Sequence, residues 1–279
     1  MLEILDLDKS FKKKEVLKNI SISLEPGVYG LLGPNGSGKT TLIRCIVSLY
    51  NINKGSIKFQ GIEIKNNGSF AESIGYLPQK FGLFKELTVY DNLQYFSVLK
   101  KIPKNSIDVC IKEILKIVNL DDKVNDRVST LSGGMIRRLG IAQAILGEPE
   151  IIIFDEPTAG LDPEERLRFK NILSSIKKNR IIIISTHIVE DVEACCNKLI
   201  IMNDGRVLKS GSCQDIISMA EEKVFEVKEG NYIDPDCYIQ KSFLKNGEKF
   251  LRVLSNKKLG YKPLHPTIED GYMCIIKGI

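Results

Sequence analysis

The sequence predicts an α/β protein in which a parallel sheet is covered by helices on both faces, with a strand-rich segment before it and a small α+β appendage after it. Three observations carry this prediction. Ile151 to Phe154 and Ile181 to Ile184 are continuous apolar runs, and a strand with no polar side must be buried on both faces, as in a parallel sheet. A helical pattern lies between the two runs, which is the connection that parallel pairing needs. The glycine-rich turn Gly33 to Gly38 joins the apolar segment Val28 to Leu32 to a second helical run, repeating the strand-to-helix switch.

Taken in order, Met1 to about Tyr76 shows alternating or short clustered apolar residues split by Gly, Asn and Pro, which reads as strands with one helix opening at Gly38. Lys12 to Lys14, the densest basic run, reads as a solvated turn between two strands. From Phe81 to Leu146 the spacing becomes helical: Ile107, Ile111, Ile114 and Val118 put one apolar stripe on one helix face. This stretch reads as a helical insertion. Asp162 and Pro163 then suit an N-cap and first helical residue, with Phe169, Ile172, Leu173 and Ile176 facing inward. After about Gly211, the segments Val224 to Val227, Cys237 to Phe243 and Phe250 to Leu254 read as short strands, with Asn246-Gly247 as a hairpin turn. Pro266 and Thr267, with Asp270 three residues beyond Thr267, open a last short helix.

A chain of 279 residues, 43% hydrophobic and 27% charged, buries a sizeable core, which excludes disorder for most of it. No apolar run approaches the roughly 18 residues of a membrane-spanning helix. Met1 to Ser10 matches neither a signal peptide nor a basic transit peptide, so a cytoplasmic location is expected. The net charge of +5 is spread over 40 basic and 35 acidic residues, too weak an excess to call for nucleic acid. The seven cysteines show no CxxC spacing and read as reduced thiols, mostly small core hydrophobes.

Gly33-Pro34-Asn35-Gly36-Ser37-Gly38-Lys39-Thr40 has two glycines five apart followed by Lys and Thr, between a strand and a helix. That is a phosphate loop: glycines let backbone N–H groups converge on phosphate oxygens, and the helix presents its positive end to the same anion. Lys39 then reaches the terminal phosphates, and Thr40 ligates Mg²⁺. The strand Ile151 to Phe154 delivers two carboxylates at its end, Asp155 placed to hold Mg²⁺ and Glu156 to polarise an attacking water. A base beside the metal carboxylate points to hydrolysis rather than transfer to a second substrate. Leu131-Ser132-Gly133-Gly134-Met135 begins another helix, hence a second anion-binding helix start, although one nucleotide does not need two and an ordinary N-cap turn fits as well. His187 follows its strand at the carboxyl end, where open α/β sheets bind ligands. His265, between Pro263 and Pro266, reads as structural, and Arg137, Arg138 and Lys209 read as helix-surface residues.

With these motifs in hand, Met1 to about Gly211 resembles the nucleotide-binding subunit of ATP-binding cassette (ABC) transporters. The resemblance implies a P-loop NTPase fold of ABC ATPase type at 1–211, with an N-terminal antiparallel β subdomain, a helical subdomain at about 80–146 and a C-terminal accessory region at 212–279. It implies that Asn35, Gly36, Ser37, Gly38, Lys39, Thr40 and Thr41 bind ATP, that Phe11 stacks on adenine, and that Gln79 is the glutamine touching Mg²⁺ and the attacking water. It marks Ser132, Gly133 and Gly134 as the signature, Ala159 to Asp162 as the D-loop and His187 as a γ-phosphate contact. Two copies would pack head to tail, with ATP between the phosphate loop of one and the signature helix of the other and Asp162 crossing the interface or acting only as an N-cap. The partners implied are a second copy, or a second ATPase subunit, and a separately encoded integral membrane permease reached through the helical insertion. Met135, Ala159-Gly160 and Phe11 depart from the residues most frequent in the family, Gln, Ser-Ala and Tyr, without removing a charge. Met135 to Arg138 and the tail Pro266 to Tyr272 resemble the ABC-2 type exporter branch. A soluble ABC-type ATPase acting on ribosomes or nucleic acid is the alternative.

Overall fold

In the computed structural model, residues 1–66, 69–231 and 234–279 are described. The alternating N-terminal segment forms β1 (Leu2–Phe11) and β2 (Lys14–Leu24), antiparallel around a turn in which Lys12 has φ 52°. Leu2, Ile4, Leu7, Leu17, Ile20 and Leu24 all point inward. The chain then enters β3 (Gly27–Leu32), turns through the glycine loop into α1 (Lys39–Ile46) and adds β4 (Lys54–Phe59) and β5 (Ile62–Glu63) to the first sheet. That sheet is antiparallel, in the order β2-β1-β4-β5.

A one-turn helix α2 (Phe70–Ser73) leads to β6 (Ile74–Leu77) and the insertion, formed by α3 (Val89–Leu99), α4 (Lys104–Ile117) and α5 (Gly133–Ile145). Thr88 and Asp91 close a reciprocal capping box at the start of α3. The stripe Ile107, Ile111, Ile114 and Val118 is buried as its spacing requires. Next come β7 (Ile151–Asp155), α6 (Pro163–Ile176), β8 (Ile181–Thr186), α7 (Val189–Cys195), β9 (Lys198–Asn203) and β10 (Arg206–Ser212). The second sheet runs β10-β9-β3-β8-β7-β6, parallel throughout except for the antiparallel edge strand β10.

The continuous isoleucine runs divide strictly by parity. Ile152, Phe154, Ile182 and Ile184 enter the core beneath α3 to α6, while Ile151, Ile153, Ile181 and Ile183 enter the core shared with α1 and the antiparallel sheet. Successive strand side chains point to opposite faces, so one run feeds two cores, each fully buried residue contributing about 1.5–3 kcal/mol. Among the described residues, no helix is long and apolar enough to cross a membrane. The cysteines are free; Cys45, Cys196 and Cys274 are buried, while Cys110, Cys195 and Cys213 are half-buried against the larger core and Cys237 against a small one under the C-terminal sheet. Burial pushes the Cys45 thiol up to about 11, which makes it inert.

After β10 the chain forms α8 (Cys213–Ile217), a sheet of β11 (Val224–Lys228), β12 (Tyr238–Lys245) and β13 (Glu248–Leu254) ordered β11-β13-β12, and α9 (Ile268–Lys277). The β12–β13 hairpin turns at Asn246-Gly247. Helix α9 does more than decorate the end of the chain. Its Ile268 and Tyr272 belong to the larger core, and Gly271 lies so close to α8 that a Cβ there would sit 1.9 Å from the Ile216 carbonyl oxygen.

Asp270, fully buried, caps α9 through Thr267 and takes a bidentate pair from Arg252 on β13 at 2.8 and 2.6 Å, tying the small sheet to the helix. Burial pushes the Asp270 carboxyl up, but the Arg252 and Thr267 hydrogen bonds outweigh it and hold the group below its ordinary value. Asp270→Asn leaves Arg252 without its counter-charge and is expected to destabilise the protein by about 3 kcal/mol, read as a lowered urea midpoint. Because the folded-state value is depressed, this contribution is complete above the unfolded value of 3.8 and is lost as pH falls through the lower folded value. The gap between wild type and variant therefore narrows in acid; a gap independent of pH contradicts the assignment.

Candidate functional site

The phosphate loop lies at the carboxyl end of β3, where the parallel sheet opens. Gly38 turns the loop into α1 with φ 104°, and a Cβ there would lie 2.9 Å from Leu17 Cδ2, so glycine is required on both backbone and steric grounds. The Lys39 ammonium curls back to donate to the carbonyls of Gly33 at 2.7 Å and Pro34 at 3.2 Å. Burial lowers its pKa, and Glu156 and Asp155 oppose that shift. Ser37 is buried beneath the loop, its carbonyl accepting from Gly205 N–H at 3.0 Å.

Around this loop is a cavity of about 360 Å³. Asn35, Gly36, Gly38, Lys39, Thr40, Thr41, Gln79 and Glu156 line it, so three segments far apart in sequence converge there. Lys14, Glu15, Val16 and the β9–β10 turn at Asp204-Gly205 complete its wall. Phe11 is not part of that wall. It is exposed and packs edge-on against Tyr50, with ring centroids 5.2 Å apart. A larger cavity of about 460 Å³ beside the end of α1 includes none of the phosphate-loop residues.

Asp155 ends β7 almost fully buried. Its Oδ1 accepts from Ser185 Oγ at 2.5 Å and from Thr40 Oγ1 at 3.4 Å, while its buried Oδ2 has no hydrogen-bond partner. A buried carboxylate oxygen left open beside a hydroxyl is a hard-oxygen donor set, and it fits Mg²⁺, which takes one or two protein oxygens and completes its shell with phosphates and water. Glu156 follows with φ 52°, a left-handed conformation costing about 1–2 kcal/mol for a residue with a Cβ. Its N–H is held by the Ser185 carbonyl at 3.1 Å and hydroxyl at 3.0 Å. Its carboxylate meets His187 Nδ1 at 3.1 and 3.2 Å.

The Ser132 to Gly134 helix start lies at a separate cavity. Ser132 caps α5, its Oγ accepting from Met135 N–H at 3.3 Å. Gly133 and Gly134 border another cavity of about 340 Å³ together with Gly160, Asp162 and Glu165, and this cavity shares no lining residue with the first. Asp162 accepts from Glu165 N–H at 2.8 Å as the N-cap of α6.

Several residues differ from the sequence reading. Arg138 is buried, not on the surface: it donates to the Val118 carbonyl at 3.0 Å and pairs with Glu165 at 3.2 Å. Arg137 is half-buried, donating to the carbonyls of Gln79, Glu156 and Pro157; burial lowers its pKa, and Asp155 and Glu156 work against that. Lys209 lies on the edge strand β10 rather than on a helix. The buried carboxylate of Asp191 was not anticipated: it accepts from Thr158 at 2.5 Å, Thr186 at 3.5 Å and Arg166 at 3.0 Å, linking the segments that follow Glu156 and precede His187. Ser185 was legible in principle, as a polar residue at the carboxyl end of a buried strand.

Comparison with known proteins places this arrangement. The ABC transporter family model matches residues 17–159. The chain is 35% identical over 219 residues to the Nod factor export ATP-binding protein I of Rhizobium etli, covering 77% of this chain and 69% of that protein. It is 32% identical over 276 residues to YxlF, an uncharacterized ABC transporter ATP-binding protein of Bacillus subtilis, covering 97% and 92%. Among solved structures, cbiO1 from Clostridium perfringens, part of the ABC transporter complex cbiONQ, superposes with a TM-score of 0.71 at 29% identity over 78% of this chain and 90% of that one. With strand order, phosphate loop and sequence in agreement, the chain belongs to the ABC transporter family as an ATP-binding, ATP-hydrolysing subunit.

Proposed function

We propose that this chain drives a separately encoded membrane permease, sitting peripherally on the cytoplasmic face of the membrane through that partner, and that it works as a head-to-tail dimer around two Mg-ATP. The observation that carries the dimer is the pair of cavities with no common lining residue, one built on Lys39 and the other on Gly133 and Gly134. In this reading a second copy related by two-fold symmetry presents its Ser132 to Gly134 helix end, and its Asp162, to the first copy's phosphates. Both sets of residues are intact, which favours a homodimer over a pairing with a different ATPase subunit.

In this reading Asn35 to Thr41 cradle the triphosphate through backbone N–H groups, Lys39 and the two threonine hydroxyls. The base lies toward Lys14 to Val16, with Phe11 swinging from Tyr50 to stack on it. Thr40, Asp155 and Gln79 would hold Mg²⁺, which when bound would neutralise phosphate charge. Glu156 accepts a proton from the attacking water, and His187, already against that carboxylate, donates toward the γ-phosphate oxygens. The nucleotide-binding part spans 1–211, its helical subdomain about 80–146, and 212–279 is an accessory region. The exposed residues Phe84, Leu87, Tyr95, Val98 and Leu99, with the Phe84 and Tyr95 rings 5.0 Å apart, lie in the segment that leads from Gln79 into the helical insertion and are the surface offered to the permease. Export is the direction supported by the likeness to a Nod factor export protein.

Affinity purification of the full chain from gently solubilised native membranes tests this. Recovery of a polytopic membrane protein at near two-to-two stoichiometry is the expected result. Recovery of ribosomal or DNA-associated proteins without a membrane partner overturns it in favour of a soluble ABC-type ATPase.

A further inference from the structure

Arg137 lies one turn into α5, and its guanidinium spans two distant segments. Nη1 donates to the Gln79 carbonyl at 3.3 Å, Nε to the Pro157 carbonyl at 2.9 Å, and Nη2 to the Glu156 carbonyl. The plane sits 5.5 Å from the Phe81 ring centroid, two residues beyond Gln79. These acceptors lie 58, 20 and 19 residues away in sequence. Only a planar, multi-donor group fixed at the end of a long stem can hold them together.

Glu156 is where this matters. Its left-handed backbone persists only if its surroundings over-determine it. Ser185 holds the N–H side of the residue, and Arg137 holds the C=O side. We propose that Arg137 is a positioning residue for ATP hydrolysis: it fixes the Glu156 backbone and the Gln79 loop in one frame carried by α5. Movement of the helical insertion then changes the aim of both groups at once, without touching the phosphate loop. The inference rests on the reading of Glu156 as the carboxylate that activates water.

The test compares full-length wild type, Arg137→Lys, Arg137→Met and Glu156→Gln by steady-state ATP turnover, ATP affinity and urea midpoint. Both Arg137 variants keep an apolar stem over Phe81, and Lys also keeps the charge, but neither spans the Gln79 and Glu156 carbonyls. Because a misplacement of about 1 Å costs on the order of 100-fold in rate, kcat is expected to fall about 10- to 100-fold in both variants, with ATP affinity within about threefold of wild type. A purely structural arginine predicts something else: Lys restores kcat, or affinity and kcat fall together with the midpoint, and either result overturns the inference. If Arg137→Met does not fold, Arg137→Lys carries the test alone. Lost turnover in Glu156→Gln beside wild-type kcat in Arg137→Lys overturns this inference and leaves the catalytic reading standing. Wild-type turnover in Glu156→Gln overturns both.

Discussion

Glu156→Gln is expected to lower ATP turnover by about 10²- to 10⁴-fold, the usual contribution of a positioned general base, while ATP still binds. The substitution keeps the size of the side chain and its ability to contact His187, so the geometry around β7 and β8 is preserved. What it removes is the carboxylate aimed into the cavity that holds Lys39 and Gln79. Phosphate release by the purified chain at saturating Mg-ATP measures the effect. A hydrolysis rate equal to wild type sinks the assignment of Glu156, because the other carboxylates lining that cavity, Glu15 and Asp204, belong to the wall formed by Lys14 to Val16 and the β9–β10 turn and do not follow the Asp155 strand.

Lys39→Ala is expected to weaken ATP binding by about 100-fold or more. A charge-assisted hydrogen bond contributes about 1.5–3 kcal/mol, which converts to one or two powers of ten in Kd, and the loop loses its only buried cation as well. In the free protein the Lys39 ammonium satisfies itself on the Gly33 and Pro34 carbonyls, so it is already positioned and needs only to turn toward phosphate. The lowered Lys39 pKa sets the pH dependence. Burial destabilises its charged form in the free protein, and triphosphate restores it, so ATP binding takes up a proton once the free group starts to deprotonate. Affinity therefore falls as pH is raised through the lowered value, and Lys39→Ala abolishes that dependence. Isothermal titration over a pH series reads both effects; retained micromolar affinity in the variant counts against the phosphate-loop reading.

Much of this arrangement was legible from local pattern. The isoleucine runs could only be strands buried on both faces, and the structure shows why: alternate residues feed two separate cores. The Asp162-Pro163 helix start, the Asn246-Gly247 hairpin and the Thr267–Asp270 cap were likewise legible, since each depends on residues within three positions of one another. The convergence of Asn35 to Thr41 with Gln79 and Glu156 was read from motif resemblance rather than from periodicity. What sequence pattern missed are contacts made across long separations to main-chain atoms. Arg137 and Arg138 follow each other in one helix, yet their guanidinium groups are committed to carbonyls of Gln79, Glu156 and Val118. A carbonyl has no side-chain identity, so nothing in the sequence marks it as an acceptor. Phe11 shows the converse: a residue type fits a role, while its ring lies against Tyr50 and not among the residues lining the cavity.

The most direct measurement of the central claim is the solution mass of full-length Glu156→Gln, by light scattering, with and without Mg-ATP. If the Lys39 cavity of one copy and the Ser132 to Gly134 helix end of another enclose each nucleotide, the mass doubles from 31.3 kDa when ATP is added and hydrolysis is blocked. The doubling disappears on adding Lys39→Ala to the same chain. A monomer at saturating ATP, with binding confirmed by titration, contradicts the two-copy site.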